Sequence, residues 1–166
     1  MTERSFQEYY PPELSYCYGC GRLNPQGHHL KSYWEGEVSV ARFTPEPYHT
    51  AVPGFVNGGV LASLVDCHGT GTAAAAAYRS EQRSMDSLPT HRFVTASLRV
   101  DYLKPTPIGV ELRLEGRVRA ISGRKVILDI ALSAGGQVTV KGEVTAVEIP
   151  PGMWEAARAA LASGPG

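Results

Sequence analysis

The sequence predicts an α+β domain in which one long helix is wrapped by a curved antiparallel sheet of about five or six strands. Three observations carry that expectation. From about residue 93 apolar and polar residues alternate with period two as far as Val144. Ahead of that stretch lies a single long apolar, alanine-rich segment, Gly58 to Tyr78, in a chain with no other strong helical pattern of that length. Finally, the 166 residues and 17.9 kDa fit one domain with one core.

Taken in chain order, residues 1–36 read as an N-terminal extension containing a Cys17-x-x-Cys20 turn, and Glu37–Phe43 as a first strand. The domain proper is expected over 37–149. Asn57 suits a helix N-cap, so the helix is placed from Gly58 to Tyr78. Val94, Ala96, Leu98, Val100 and Tyr102 then alternate with Thr95, Ser97, Arg99 and Asp101, which predicts a half-buried strand. Pro105, Pro107 and Gly109 break the pairing before a second strand marked by Leu112, Leu114 and Val118. Reversals at Ser122-Gly123 and Gly135-Gly136 lead to a third strand (Val126, Leu128, Ile130, Leu132) and a fourth (Val138, Val140, Val144), so the four are expected as one meander. Residues 150–166 read as a tail, with Pro150-Pro151 ending the last strand and a short helix over Met153–Ala162. An edge or face of such a sheet is left uncovered, and a homodimer at least, possibly a homotetramer, is expected to cover it.

Composition narrows the partners. Sixteen Lys and Arg against sixteen Asp and Glu leave no net charge, which speaks against nucleic acid, and 43% hydrophobic residues argue against a disordered chain. The stretch from Val52 to Tyr78 is interrupted by Asn57, Asp66, His68 and glycines, which a membrane span disfavours. The N-terminus lacks a basic-then-apolar export pattern, and three cysteines do not make a disulfide framework, so a cytoplasmic location is expected.

The segment Asn57-Gly58-Gly59 followed by Asp66 holds the candidate chemistry. The first backbone N–H groups of a helix lack intrahelical acceptors and sit at its positive end, a ready site for a developing oxyanion. A carboxyl in the middle of an apolar helix costs stability unless it is paired or used, so Asp66 is read either as base or nucleophile, or as a core carboxylate bonded to a serine or a backbone group. Eight residues separate Gly58 from Asp66, about 12 Å along one helix axis. One carbonyl cannot touch both within a chain. Two such helices running antiparallel across a twofold axis would bring the donor end of one to the carboxylate of the other.

In these residues the chain resembles the hotdog-fold acyl-CoA thioesterases, especially the phenylacetate-pathway type, whose motif reads His-Gly-Gly, six or seven small or apolar residues, then Asp. The likeness continues through Thr95 to Pro105, Gly109, Gly116-Arg117-Val118 and Gly123-Arg124-Lys125, and covers residues 17 to 147. It implies a hotdog fold and hydrolysis of acyl-CoA or aroyl-CoA thioesters without metal or other cofactor. It also implies a thioester carbonyl held by the Gly58 N–H, Asp66 of a partner copy activating water or attacking directly, and a hydroxyl at Thr95 assisting. Gly59 belongs to the same donor end. Asn57 replaces the family's histidine and cannot titrate near neutral pH. His49 matches a histidine of one branch that contacts the substrate, although a solvated turn residue is the simpler reading. Thr95 reads equally well as a solvent-facing strand residue.

Arg124 and Lys125, with Arg117 and Arg119 nearby, are candidate contacts for coenzyme A phosphates, or else ion-pair partners of Glu111, Glu115 and Asp129. Cys17 and Cys20 with His28 and His29 look like half a zinc knuckle, yet the histidines are adjacent and no second Cys-x-x-Cys follows. A metal-free tight turn is therefore expected. Acyl specificity is expected to sit in the loop before the helix and in residues such as Tyr78, Phe93 and Leu98. Two alternatives stand beside hydrolysis: a non-catalytic acyl-CoA sensor, motivated by Asn57, and a hotdog dehydratase or hydratase using His49 with Asp66.

Overall fold

The computed structural model describes residues 3–164; Met1, Thr2, Pro165 and Gly166, the outer ends of the two expected tails, lie outside the described residues. Six strands form one antiparallel sheet: β1 (Ser32–Glu35), β2 (Val38–Phe43), β3 (Phe93–Tyr102), β4 (Leu112–Ser122), β5 (Lys125–Ala134) and β6 (Gln137–Glu148). The long helix α1 runs Gly58–Ser80 and touches every strand, so the sheet wraps it as expected. A second helix, α2 (Pro151–Ala162), follows the sheet and buries none of its residues. Among the described residues no helix is long and apolar enough to cross a membrane.

Three expectations need correction. The strand order is β1-β2-β4-β5-β6-β3, so only β4, β5 and β6 form a meander, while β3 crosses to the far edge and pairs with β6. The residues Lys104 to Gly109 therefore connect the two sides of the sheet rather than turn a hairpin. The sheet also begins at Ser32, inside the segment read as an extension, and the preceding 3-10 helix Phe6–Tyr9 packs Phe6 and Tyr10 into the interior. The helix ends two residues later than expected.

Alternation places the core. Leu112, Leu114, Val126, Leu128, Leu132, Val140 and Val144 are fully buried in one cluster with Leu64, Val65, Ala73, Ala74 and Ala77 of α1. An alanine face lets the helix lie close to the sheet. Closest approach is made at glycines: a Cβ on Gly142 would stand 2.4 Å from Val65 Cγ1, and one on Gly69 2.7 Å from Val144 Cγ2. Gly142→Ala is expected to lower stability by about 1–3 kcal/mol through overpacking, and Val65→Ala in the same chain to recover part of that loss. Urea denaturation of the single and double variants measures both, and additive losses would show that the two positions do not press on each other.

Candidate active site

The chain arrives at α1 through the 3-10 turn Pro47–His49 and a loop pinned at both ends. Asn57 N–H donates to His49 O at 2.8 Å, and Val56 N–H to Thr106 O at 2.8 Å. This delivers Asn57 in extended conformation to the N-cap, where its Oδ1 accepts from Gly59 N–H at 2.8 Å and Val60 N–H at 3.4 Å. The cap thus occupies the Gly59 donor. Among the described residues no acceptor meets the Gly58 N–H, so of the two glycine donors it is Gly58 that stays open. From β3, the Tyr102 hydroxyl donates to Gly58 O at 2.7 Å and holds the first turn in place. Nothing in the Gly58 region of the sequence pointed to Tyr102; the antiparallel run of β3 along α1 brings it there.

Asp66, two turns further on, is half-buried, and Thr95 Oγ1 donates to its Oδ1 in a short hydrogen bond. Thr95 owes its direction to a bulge: Thr95 pairs with Ala146 but Ser97 with Thr145, leaving Ala96 as an extra residue. Burial pushes the Asp66 carboxyl upward, and the Thr95 hydrogen bond opposes it. The structure therefore joins Asp66 and Thr95 within one chain and leaves Gly58 a separate station at the other end of the same helix face.

His49 is almost wholly buried, stacked against His28, Phe43 and Tyr48. Its Nδ1 accepts from Glu46 N–H at 2.9 Å, which leaves the neutral ring's proton on Nε2. Burial lowers its pKa, against a smaller pull from Glu46, so it stays neutral around pH 7. It is a built part of the turn before α1 rather than a solvated residue.

The basic cluster divides. Arg119 is committed to Asp129 and to Glu143. Arg124 donates to Glu148 O at 2.8 Å and, like Lys125 and Arg117, is exposed. Lys125, Val147 and Val94 share one row across β5, β6 and β3, which puts the Gly123 turn about 10 Å from the Thr95 end of β3. Of the expected pocket residues, Tyr78 and Phe93 are core: both are buried, and Tyr78 Oη accepts from His91 N–H at 2.9 Å. Leu98 lies exposed on β3. The half-knuckle comes apart as well: His28 stacks on Tyr18, His29 Nε2 bonds Asn24 O, and neither imidazole joins the cysteine sulfurs.

Residues 53–141 match the family model described as the thioesterase superfamily. The chain belongs to the thioesterase superfamily. The matched span includes Asn57, Gly58, Gly59, Asp66, Thr95, Arg124 and Lys125, and leaves out His49 and the Cys17–Cys20 turn. Among curated relatives, the acyl-coenzyme A thioesterase THEM4 of Xenopus laevis is 32% identical over 66% of this chain, which spans 44% of that protein's length. A thioesterase superfamily protein of Shewanella loihica PV-4 is 49% identical, with 82% of this chain and 96% of that one covered and a TM-score of 0.65. The PaaI protein of the phenylacetic acid degradation operon of E. coli shares the fold at 15% identity, a TM-score of 0.60, and coverage of 74% and 81%. One helix inside six antiparallel strands is the hotdog fold that these superfamily members share.

Proposed function

We propose that the protein hydrolyses acyl-CoA or aroyl-CoA thioesters at composite sites formed by two copies of the chain. The observation that carries this is the pair of stations on α1: an open Gly58 N–H at the helix start and, about 12 Å along the axis, a half-buried carboxylate held by Thr95. In the reading we favour, the thioester oxygen accepts from Gly58 N–H of one copy. Asp66 of the other takes a proton from a water whose oxygen bonds to the carbonyl carbon. The tetrahedral oxyanion stays on the helix N-terminus until the carbon–sulfur bond breaks and the thiolate leaves with that proton. Direct attack by Asp66 gives instead an acyl anhydride, opened by water in a second step. Asn57 moves no proton in either route; its amide fixes the first turn.

The β3 edge supports assembly. β3 ends the sheet, and Leu98 and Tyr102 are exposed on it although the strand alternates as a buried one does. An unpaired edge with apolar side chains fits a second copy of itself across a twofold axis. Arg124, which also donates to Glu148 O, and Lys125 are both exposed and would meet the phosphates of coenzyme A.

Thiol release from a panel of short-chain, long-chain and aromatic acyl-CoAs tests the reading. Turnover that collapses in Asp66→Ala supports hydrolysis at this site and identifies the acyl class. Tight acyl-CoA binding without turnover by a folded dimer overturns it in favour of a sensor, the reading that Asn57 motivates.

A further inference from the structure

Beside Asp66, on the neighbouring helix position, Cys67 turns its sulfur toward the N-terminal loop. The loop brings two more. Cys17 Sγ lies 3.6 Å from Cys67 Sγ, and the sulfurs of Cys17, Cys20 and Cys67 all fall within 4.8 Å of one another. The site is buried at Cys20 and Cys67 and half-buried at Cys17.

The loop is shaped for this meeting. Gly21 N–H donates to Cys17 O at 2.7 Å, closing the turn between the two cysteines, and Leu30 N–H donates to Gly19 O at 3.0 Å. Gly19 presses flush on the helix, since a Cβ there would stand 2.2 Å from Cys67 Sγ. Three thiols are thus fixed by backbone geometry before any ligand arrives.

Arg92 supplies the second observation. It is 8% exposed, its one side-chain hydrogen bond among the described residues is to Phe93 O at 2.7 Å, and its guanidinium lies over the Tyr10 ring. The ionisable groups acting most on it are Tyr10, Cys20, Cys17 and Cys67. Buried charge calls for opposite charge nearby, and thiolates gathered on one ion would provide it.

We propose that Cys17, Cys20 and Cys67 form a three-thiolate site for one soft divalent cation of the zinc class, with Arg92 as its buried counter-charge. A tetrahedron with zinc–sulfur bonds of about 2.3 Å sets its sulfurs about 3.8 Å apart, close to the Cys17–Cys67 spacing and within a small adjustment of the rest. Binding releases three thiol protons to solvent; two positive charges against three thiolates leave one negative charge, which the Arg92 guanidinium balances. Among the described residues no fourth histidine, cysteine or carboxylate joins the group, so water takes the remaining position. In the sequence the adjacent His28 and His29 spoke against a metal at this turn; the fold brings Cys67 to it instead as a third ligand. The ion would clasp the N-terminal loop to α1 one residue from Asp66, a fastening independent of whether the protein turns over thioesters.

Cobalt reports on such a site directly. The full chain, reduced and stripped of metal with a chelator, is titrated with Co2+ and then with Zn2+. Expected are a thiolate-to-cobalt charge-transfer band and tetrahedral visible bands that saturate at one ion per chain and vanish as Zn2+ displaces cobalt. Cys20→Ser and Cys67→Ser are expected to lose the bands. Should either variant fail to fold, the parent alone decides: Zn2+ is expected to protect all three thiols from a disulfide reagent under native conditions and to raise Tm. Absence of the bands in folded, reduced parent overturns the proposal. So do unchanged bands in both folded serine variants, and so does full thiol reactivity with Zn2+ present.

Discussion

Mixing two variants that are each inactive, Asp66→Asn and Gly58→Pro, is expected to restore turnover. Each substitution removes one function and leaves the fold alone. Asparagine keeps the shape of Asp66 and the acceptor for Thr95 but cannot accept a proton, a loss of about 10²–10⁴ in kcat. Proline at the first helical position deletes only the N–H that the helix never uses, and its fixed φ suits that position. Asn57, at φ −60° and ψ 134°, already has the extended conformation that a following proline demands. The ring would crowd Tyr102, whose nearest atom is 3.3 Å from a Cβ at Gly58, but that side chain is half-exposed and free to give. Loss of one oxyanion donor is expected to cost about 10²–10³ in kcat.

The mixture separates a composite site from a single-chain one. In a mixed dimer one site combines an intact Gly58 with an intact Asp66, and the other combines both defects. With random subunit exchange half the dimers are mixed, so activity is expected to return to about a quarter of the parent value. Recovery measured by thiol release, alongside native mass spectrometry showing the mixed species, supports two stations shared across the interface. No recovery in a mixture proven to exchange would place the chemistry within one chain.

How far the sequence foretold this site depends on which contacts are local. Asn57 as N-cap, the glycine donors and Asp66 on one helix are relations within ten residues, and helix geometry alone ranks them. Local pairing likewise made β4, β5 and β6 legible, because each reversal lies at a glycine and the inward set is Leu, Ile and Val. Strand β1 escaped notice because Ser32–Glu35 is four residues long and alternates little. β3 was visible as a strand but not as an edge: its period-two pattern predicts burial, and the chain alone leaves Ala96, Leu98 and Tyr102 exposed. Its crossing to β6 is a long-range choice that no turn signal encodes. The same is true of Thr95, which reaches Asp66 only through the bulge at Ala96, and of Cys67, whose partners come from a loop fifty residues earlier.

His68 shows how such long-range placement becomes a measurable property, and its titration is expected to dominate the difference in acid stability between the parent and a His68→Gln variant. The imidazole is fully buried, with Nδ1 2.9 Å from Ser32 Oγ and Nε2 3.1 Å from Ser39 Oγ. Thr72 Oγ1 donates to His68 O at 2.7 Å, so it accepts from Ser39, 2.6 Å away, and Ser39 in turn accepts from His68 Nε2–H. Gln7 Nε2 donates to Ser32 Oγ, whose own proton then goes to Nδ1. Every donor and acceptor is used with the ring neutral, and a second ring proton would find Ser32 already donating to it. Burial accordingly lowers the pKa to about 4. The unfolded chain, with its histidine near 6.5, binds a proton that the folded chain refuses between those values. Stability from this group is complete above about pH 6.5 and is lost as pH falls toward 4, by about 3 kcal/mol in all. His91 acts in the opposite sense: burial lowers its pKa, but hydrogen bonds to Glu81 and Glu148 raise it further, so its contribution is lost as pH rises. Comparing parent and His68→Gln cancels that background. Glutamine is expected to be less stable at pH 7 yet to lack the extra slope between pH 4 and 6.5 in urea denaturation. Equal slopes in the two proteins would mean that His68 charges within the fold, and that the hydroxyls around it can turn to receive the proton.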